Sequence, residues 1–309
     1  MTAGASTGTD RAQMLDRLSG ESFDVLIIGA GIYGATLACR AARAGLTVAL
    51  IDKGDFGGAA SANSLKILHG GLRYLQQLDF PRMRESIAAR RDGLSALPHL
   101  ARPATFLAPA RGSLKRSRTA FRAAALLNDL VSHDRNRGVP ASHHLSPTRV
   151  LGSEAFHALP GMAPVAADGA LQWSDGFIEN TERFTLAYVM TARHLGAATE
   201  NYVEAIRLRQ TNRAAEGVLA RDAETGREFD IRAKITVNAA GGWLSGLLPE
   251  GIASEKPSAW VRAWNIVVNR AWFGSYGIGL DNRARNFFFA PWRGGTIIGT
   301  AYDVFNQPA

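Results

Sequence analysis

Residues Phe23 to Lys53, FDVLIIGAGIYGATLACRAARAGLTVALIDK, constrain the fold of this chain more than any other stretch. Val25, Leu26, Ile27 and Ile28 form a continuous apolar run with β-branched members, the pattern of a short strand buried on both faces of a parallel sheet. Gly29, Gly31 and Gly34 follow at G-x-G-x-x-G spacing, where they serve a tight turn, close approach of main chain to a pyrophosphate, and close packing of helix on strand. A helix is expected from near Ile32 to about Ala44, rich in alanine and stopped by Gly45. A diphosphate would rest on its first free amides. Thr47 to Ile51 is a second apolar strand, and Asp52 closes it where a carboxylate can accept hydrogen bonds from ribose hydroxyls. A bare glycine motif is weak evidence in a chain with 32 glycines. Here strand, glycines, helix, stop, second strand and acid agree, which favours an adenine dinucleotide site over an ordinary βαβ unit.

The chain has 309 residues and 46% apolar content, enough for about two domains with real cores. Its formal charge is +8, and Lys occurs only at positions 53, 66, 115, 234 and 256, so the basic residues are mostly Arg. Coding bias accounts for that balance as readily as an anionic partner does, although a basic surface suits a phosphorylated substrate or an anionic membrane. No recognition motif supports nucleic-acid binding. Cys39 is the single cysteine, which excludes an intrachain disulfide or a cysteine metal cluster, and no metal site is expected. No run approaches 18 apolar residues, and the first 20 residues lack the apolar core of a signal peptide. A cytoplasmic, soluble or peripheral protein is therefore expected, with residues 1–20 as a disordered leader.

Asp55 to Ser64, DFGGAASANS, is small, polar and glycine-rich, a loop able to wrap closely around a ligand. It runs into LKILHGGLRY, which sets Lys66, His69 and Arg73 around the Gly70-Gly71 pair. On composition alone, a capped turn with solvated charges explains this segment as well as a site does.

The run GAASANSLKILHGGLRYL, with GDF before it and DFPRMRESIAARRDGLSALPHLARPATFLAP after it, resembles the FAD-dependent glycerol-3-phosphate dehydrogenases, members of the D-amino-acid-oxidase-like superfamily. Asn238-Ala239-Ala240-Gly241-Gly242-Trp243 is similar to the superfamily's N-A-A-G-x-W turn, and IVVNR and FFFAPWRGGTIIGTAYD are similar to family strands, so the resemblance covers residues 22 to 304. It implies an α/β fold: an FAD-binding Rossmann-like parallel sheet with a β-meander, plus an antiparallel-sheet substrate domain. The expected boundaries are 21–75 with 170–250 for the FAD-binding domain and 76–169 with 251–309 for an incomplete substrate or cap domain.

The same resemblance implies cofactor contacts from Gly29, Gly31, Ile32, Tyr33, Gly34, Asp52, Lys53, Ser61, Ser64, Lys66, Gly70, Val203, Ala240 and Gly241, with the backbone of Val203 at the adenine. Arg73 is expected on the substrate phosphate, because a guanidinium pairs bidentately with phosphate oxygens. Lys66 and His69 are expected near the flavin and the reacting hydroxyl. The implied reaction is oxidation of sn-glycerol 3-phosphate, or a similar small phosphorylated polyol, with quinone or another electron acceptor. Arg111 to Arg137 holds seven basic and two acidic residues around an apolar run, and reads either as a basic amphipathic helix on the inner face of a membrane or as a solvated surface helix.

Gln172 to Leu186 is expected to open a long helix with an acidic first turn. Strands are expected over Tyr202 to Leu208 and around Val218 and Phe229, with Ile235 to Asn238 as a separate buried strand and Trp260 to Asn269 and Phe287 to Thr300 in the second sheet. Two departures from the family pattern matter. A family histidine, a candidate general base, is replaced in Arg262-Ala263-Trp264-Asn265 by Asn265, which cannot take a proton at neutral pH. The chain also stops at Ala309 where the family continues, so a C-terminally truncated protein is expected. Asn265 keeps an amine or amino-acid oxidase open as an alternative, and the truncation keeps open a non-catalytic remnant that binds FAD.

Overall fold

The computed structural model describes residues 7–111, 117–211, 214–247, 260–281 and 286–305. They fall into two units, the first Met1–Asn63, Thr181–Val261 and Val304–Ala309, the second Ser64–Asn180 and Arg262–Asp303. These compact units divide after 63, 180 and 261, beside the expected domain boundaries at 75, 170 and 250. LKILHGGLRY and the strand Gly169–Ile178 belong to the second unit because they pair with each other in its sheet.

In the first unit six strands lie in the order Ala198–Glu200, Val48–Ile51, Ser22–Ile28, Glu228–Asn238, Ala214–Asp222, Val203–Thr211. The first four are parallel neighbours and the last three an antiparallel meander. Glu228–Asn238 serves both: Arg232 to Asn238 run beside Ser22 to Ile28, while Glu228 to Arg232 pair with Arg221 to Gly217. Ile235 to Asn238 is therefore the end of a long strand and not a separate one, and Ile235 is 57% exposed, not buried.

Alternate residues of the central strand feed two cores, as strand geometry requires. Val25 and Ile27 pack with Ala35, Ala38 and Ala42 of helix Ile32–Arg43 and with Val189 and Ala192 of helix Thr181–His194. Leu26 and Ile28 pack on the other face with Met14, Leu15 and Leu18 and with Val203, Val218 and Ile231 of the meander. The leader expected to be disordered over 1–20 is, from Thr7 to Gly20, a helix. Met14, Leu15 and Leu18 share one of its faces and cover sheet that would otherwise meet water; each such side chain contributes about 2 kcal/mol on burial. Arg11 on this helix bonds Glu200 Oε1 at 2.7 Å, the Asn201 carbonyl at 3.0 Å and Asp222 Oδ1 at 2.6 Å.

The second unit carries the strand order Trp260–Val268, Gly295–Phe305, Asn286–Trp292, Gly277–Asp281, Ala101–Pro109, Gly169–Ile178, Ile67–Leu68, with Arg149–Gly152 also on Gly169–Ile178. Gly277–Asp281 runs parallel to Ala101–Pro109, whereas Asn286–Trp292 is antiparallel to both its neighbours and Gly169–Ile178 is antiparallel to Ala101–Pro109, Ile67–Leu68 and Arg149–Gly152. Gly169–Ile178 replaces the start of the helix expected from Gln172, which begins only at Thr181. Its run Ala170, Leu171, Trp173, Phe177 and Ile178 is buried, and Trp173 stacks on Phe106 at 5.7 Å, so burial in the sheet outweighs the acidic signal of Asp175.

Candidate functional site

Two groups of residues carry chemistry, one in each unit. In the first, Gly29 ends the central strand at φ +100°, a conformation L side chains rarely adopt, and a Cβ there would lie 2.6 Å from the Ala239 carbonyl. Its amide donates to Ile51 at 2.8 Å, and Ala239 donates to Ile28 at 2.8 Å, so the returning strand closes the turn. A Cβ on Gly34 would enter the Gly29 carbonyl, which is the close helix-on-strand contact the spacing demands. Gly31 caps helix Ile32–Arg43, and the Ile32 amide donates to Ser61 Oγ at 2.9 Å. An oxygen acceptor thus already sits on the first amide of this helix, where dipole and orphan donors favour an anion. Ser61 supplies that oxygen from the short helix Ala59–Ala62, formed within the stretch expected to be a loop.

Asp52 closes the neighbouring strand. Its Oδ2 accepts the Ala30 amide at 2.6 Å and its Oδ1 the Gly54 amide at 2.9 Å, leaving each oxygen a lone pair for a ribose hydroxyl. Burial pushes this carboxyl above its ordinary range, while the two amides and Lys53 pull it down. Val203 is fully buried and donates its amide to the Asp52 carbonyl at 2.8 Å, so that amide is committed to the protein. Lys53 Nζ lies 4.2 Å above the Trp243 ring, and Tyr33 is 85% exposed. Gly241 has open space where a Cβ would be. Asn238, the last residue of its strand, braces the turn that follows, its Nδ2 donating to the Leu244 carbonyl at 3.1 Å and its Oδ1 accepting the Ala240 amide at 3.2 Å.

In the second unit the Leu65–Tyr74 segment is fixed at both ends. Lys66 is 5% exposed at φ +63°, its carbonyl accepts the Ile178 amide at 2.8 Å, its amide donates to Ser64 Oγ at 3.3 Å, and its Nζ stands 5.6 Å from the Trp292 ring centre. Ile67 and Leu68 pair with Phe177 and Gly176. The Gly70 amide donates to Asp175 Oδ1 at 2.7 Å, and Gly71 turns the chain at φ +75° into the Leu72–Gln77 turn that carries Arg73. Arg73 is exposed, 5.3 Å over the Tyr74 ring. Solvent reaches the His69 ring, yet desolvation is the largest influence on it and lowers its pKa; Asp175 opposes this, while Arg73 and Arg90 add to it. The ring is therefore neutral near pH 7.

Lys66, His69 and Arg73 thus stand on one anchored segment, as the spacing suggested. The residues beneath it, Arg90 and Asp175, were not read as site residues. Asp175 falls in the Gln172 to Leu186 stretch, where it reads as part of the acidic first turn of a helix, and Arg90 has no signal among so many arginines. Asn265 Oδ1 accepts the Thr300 hydroxyl at 3.2 Å. Among the described residues no group of three His, Cys, Asp or Glu could hold a metal, and Cys39 is buried.

A parallel sheet that carries a glycine cradle, an acid at the next strand end and an antiparallel meander defines a dinucleotide-binding α/β protein. The chain belongs to the DAO family of FAD dependent oxidoreductases, whose profile matches residues 24–309. It is 33% identical over 303 residues to the glycerol-3-phosphate dehydrogenase of Mycobacterium leprae, covering 96% of this chain and 50% of that protein. It is also 33% identical to the mitochondrial glycerol-3-phosphate dehydrogenase of Homo sapiens, over 96% of this chain and 42% of that protein. Among solved structures, the glycerol-3-phosphate dehydrogenase from Bacillus halodurans complexed with FAD superposes with a TM-score of 0.68 at 21% identity, covering 96% of this chain and 51% of that one. Glycine oxidase from Geobacillus kaustophilus does so with a TM-score of 0.59 at 17% identity, over 93% and 72%. These structural matches establish the fold. The chain spans about half the length of the curated relatives it matches.

FAD is the cofactor of this family, and the cradle fits its nucleotide half: Gly29 makes the tight turn, Gly34 the close helix-on-strand contact, Gly31 keeps the helix start clear of a side chain, Ser61 marks an acceptor position on the Ile32 amide, and Asp52 would lie toward a ribose.

Proposed function

We propose that this chain oxidises sn-glycerol 3-phosphate, or a similar small phosphorylated polyol, to the ketone, using FAD. When bound, the flavin supplies the two-electron acceptor that receives the carbinol hydride. The protein's part is orientation and charge. Arg73 pairs with the phosphate dianion through its planar fork, and Lys66 adds a positive charge on the same anchored segment. A ring nitrogen of His69 takes the hydroxyl proton as the hydride leaves, a role that its lowered pKa suits. The observation that supports this reading most is the Leu65–Tyr74 segment, which carries the Arg73 guanidinium and the His69 imidazole on backbone held by strand pairing and by the Gly70 amide on Asp175.

Steady-state assay of the FAD-loaded protein with sn-glycerol 3-phosphate and an artificial electron acceptor tests it. Turnover that depends on the substrate is expected, and no acceptor reduction at millimolar substrate would refute it. Asn265, hydrogen-bonded to Thr300 where the family resemblance implies a histidine base, favours an amine or amino-acid substrate as the second reading. A panel of amines and amino acids in the same assay separates the two.

The natural electron acceptor is proposed to be a quinone, reached at the cytoplasmic face of a membrane. Helix Arg118–Val131 supports this contact, with Leu126 and Leu130 75% and 71% exposed on the stripe that also carries Arg118 and Arg122. No helix among the described residues is long and apolar enough to cross a membrane. Co-flotation with anionic but not neutral vesicles, lost on Leu126→Asp with Leu130→Asp, is the expected result; equal recovery with both vesicle types would overturn it.

A further inference from the structure

The second unit buries an ion pair between Arg90 on helix Phe80–Ala96 and Asp175 on strand Gly169–Ile178, with only 6% of each side chain exposed. Buried pairs of this kind add little net stability over apolar residues of similar volume, so the reason for this one lies in what it holds. Asp175 Oδ1 accepts both the Arg90 guanidinium and the Gly70 amide, the latter at 2.7 Å, and Oδ2 accepts the Trp173 indole at 2.8 Å. Arg90 Nη1 also donates to the Ser174 carbonyl at 3.2 Å. The guanidinium lies so close to Gly70 that any side chain there would collide with it. The Gly70 main chain is therefore seated directly on the charge pair, with His69 immediately before it and Arg73 three residues on.

We propose that Arg90 and Asp175 are positioning residues: their buried pair seats the Gly70 amide and so sets where His69 and Arg73 present themselves to substrate. This rests on the oxidation of a small phosphorylated alcohol proposed above. Neither residue touches the substrate; both act through the loop. The charges that face His69 are Asp175 from the strand, Arg90 from the helix and Arg73 from its own segment, with the Tyr74 ring edge-on at 6.3 Å. Asp175 raises the proton affinity of His69 and the two arginines lower it. Removing the aspartate charge leaves His69 facing two cations, so its pKa falls further.

The test uses the FAD-loaded full chain and the variants Asp175→Asn, which keeps the shape and an acceptor oxygen, and Arg90→Lys, which keeps the charge but loses the fork. Three quantities are read: hydrogen–deuterium exchange along the chain, the His69 titration by NMR, and kcat and KM for sn-glycerol 3-phosphate against pH. The expected result is faster exchange confined to residues 65–74 and KM raised about tenfold with a smaller fall in kcat in both variants. In Asp175→Asn alone, the acid limb of kcat/KM and the His69 titration also move to lower pH. A purely structural role predicts faster exchange throughout the second unit with KM and the pH profile unchanged, and that outcome overturns the proposal. Unchanged exchange over 65–74 in both variants overturns it as well. Should Asp175→Asn not fold, Arg90→Lys carries the exchange and KM readouts. If exchange and titration move as expected in a protein that does not oxidise glycerol 3-phosphate, the positioning role stands and the substrate reading falls.

Discussion

Asp52 Oδ2 accepts the Ala30 amide at 2.6 Å, so the acid that ends one strand closes the glycine turn that ends its neighbour. One carboxylate thereby shapes the turn, and in the proposed FAD site its remaining lone pairs would accept from a ribose. Asp52→Ala frees the amides of Ala30 and Gly54 and removes the ribose acceptor. Hydrogen bonds to a charged group are worth about 1.5 to 3 kcal/mol, so the FAD dissociation constant rises about 10- to 100-fold, measured by flavin fluorescence titration. An unchanged constant would contradict this geometry.

Two glycines of the cradle separate folding from cofactor binding. In Gly34→Ala the methyl enters the Gly29 carbonyl, where backbone cannot yield, and the protein loses about 3 kcal/mol in urea unfolding. In Gly31→Ala the methyl comes 3.1 Å from Ser61 Oγ, a side chain able to rotate away. That variant folds with nearly native stability, and its FAD affinity drops by about tenfold because main chain can no longer approach the diphosphate as closely.

What was legible in the sequence was local. Val25 to Ile28, the glycine spacing and Asp52 carry their meaning within some thirty residues, and LKILHGGLRY was specific enough to bring Lys66, His69 and Arg73 forward together. Long-range packing was not legible. Met14, Leu15 and Leu18 look like scattered apolar residues in a polar leader until the sheet face they cover is known. Asp175 read as the start of a helix because an acid favours a helix N-terminus, yet it lies on a strand whose apolar neighbours are buried by the second unit's core. Arg90 meets Asp175 across a separation of 85 residues, which no periodicity reports.

Substrate recognition predicts a split between arginine variants. Arg73→Ala removes the proposed charge-assisted pair with phosphate, and KM for sn-glycerol 3-phosphate is expected to rise about 100-fold with kcat reduced far less. Arg73→Lys recovers the charge but not the fork and falls between. Equal KM values in all three proteins would remove Arg73 from the site.

The Asp134 carboxyl accepts Arg84 at 2.6 and 2.9 Å and Arg91 at 2.5 Å, joining helix Phe80–Ala96 to the end of helix Arg118–Val131. The Arg84 hydrogen bonds hold its pKa well below the ordinary carboxylate range. A depressed carboxyl contributes stability that is present above its unfolded value and is lost as pH falls toward the folded one. Asp134→Asn therefore costs about 1 kcal/mol at pH 7, a modest figure because solvent screens this pair. The gap to the native protein narrows as pH drops below about 4. A gap independent of pH in chemical unfolding would show that the contribution is not ionic.

The central claim is that this chain binds FAD and passes it a hydride from a phosphorylated carbinol. Anaerobic mixing of the FAD-loaded protein with sn-glycerol 3-phosphate, followed at the visible band of oxidised flavin, tests it most directly. The account predicts bleaching that saturates with substrate and is slowed on substitution of His69. Bound FAD whose band persists at saturating substrate would contradict it.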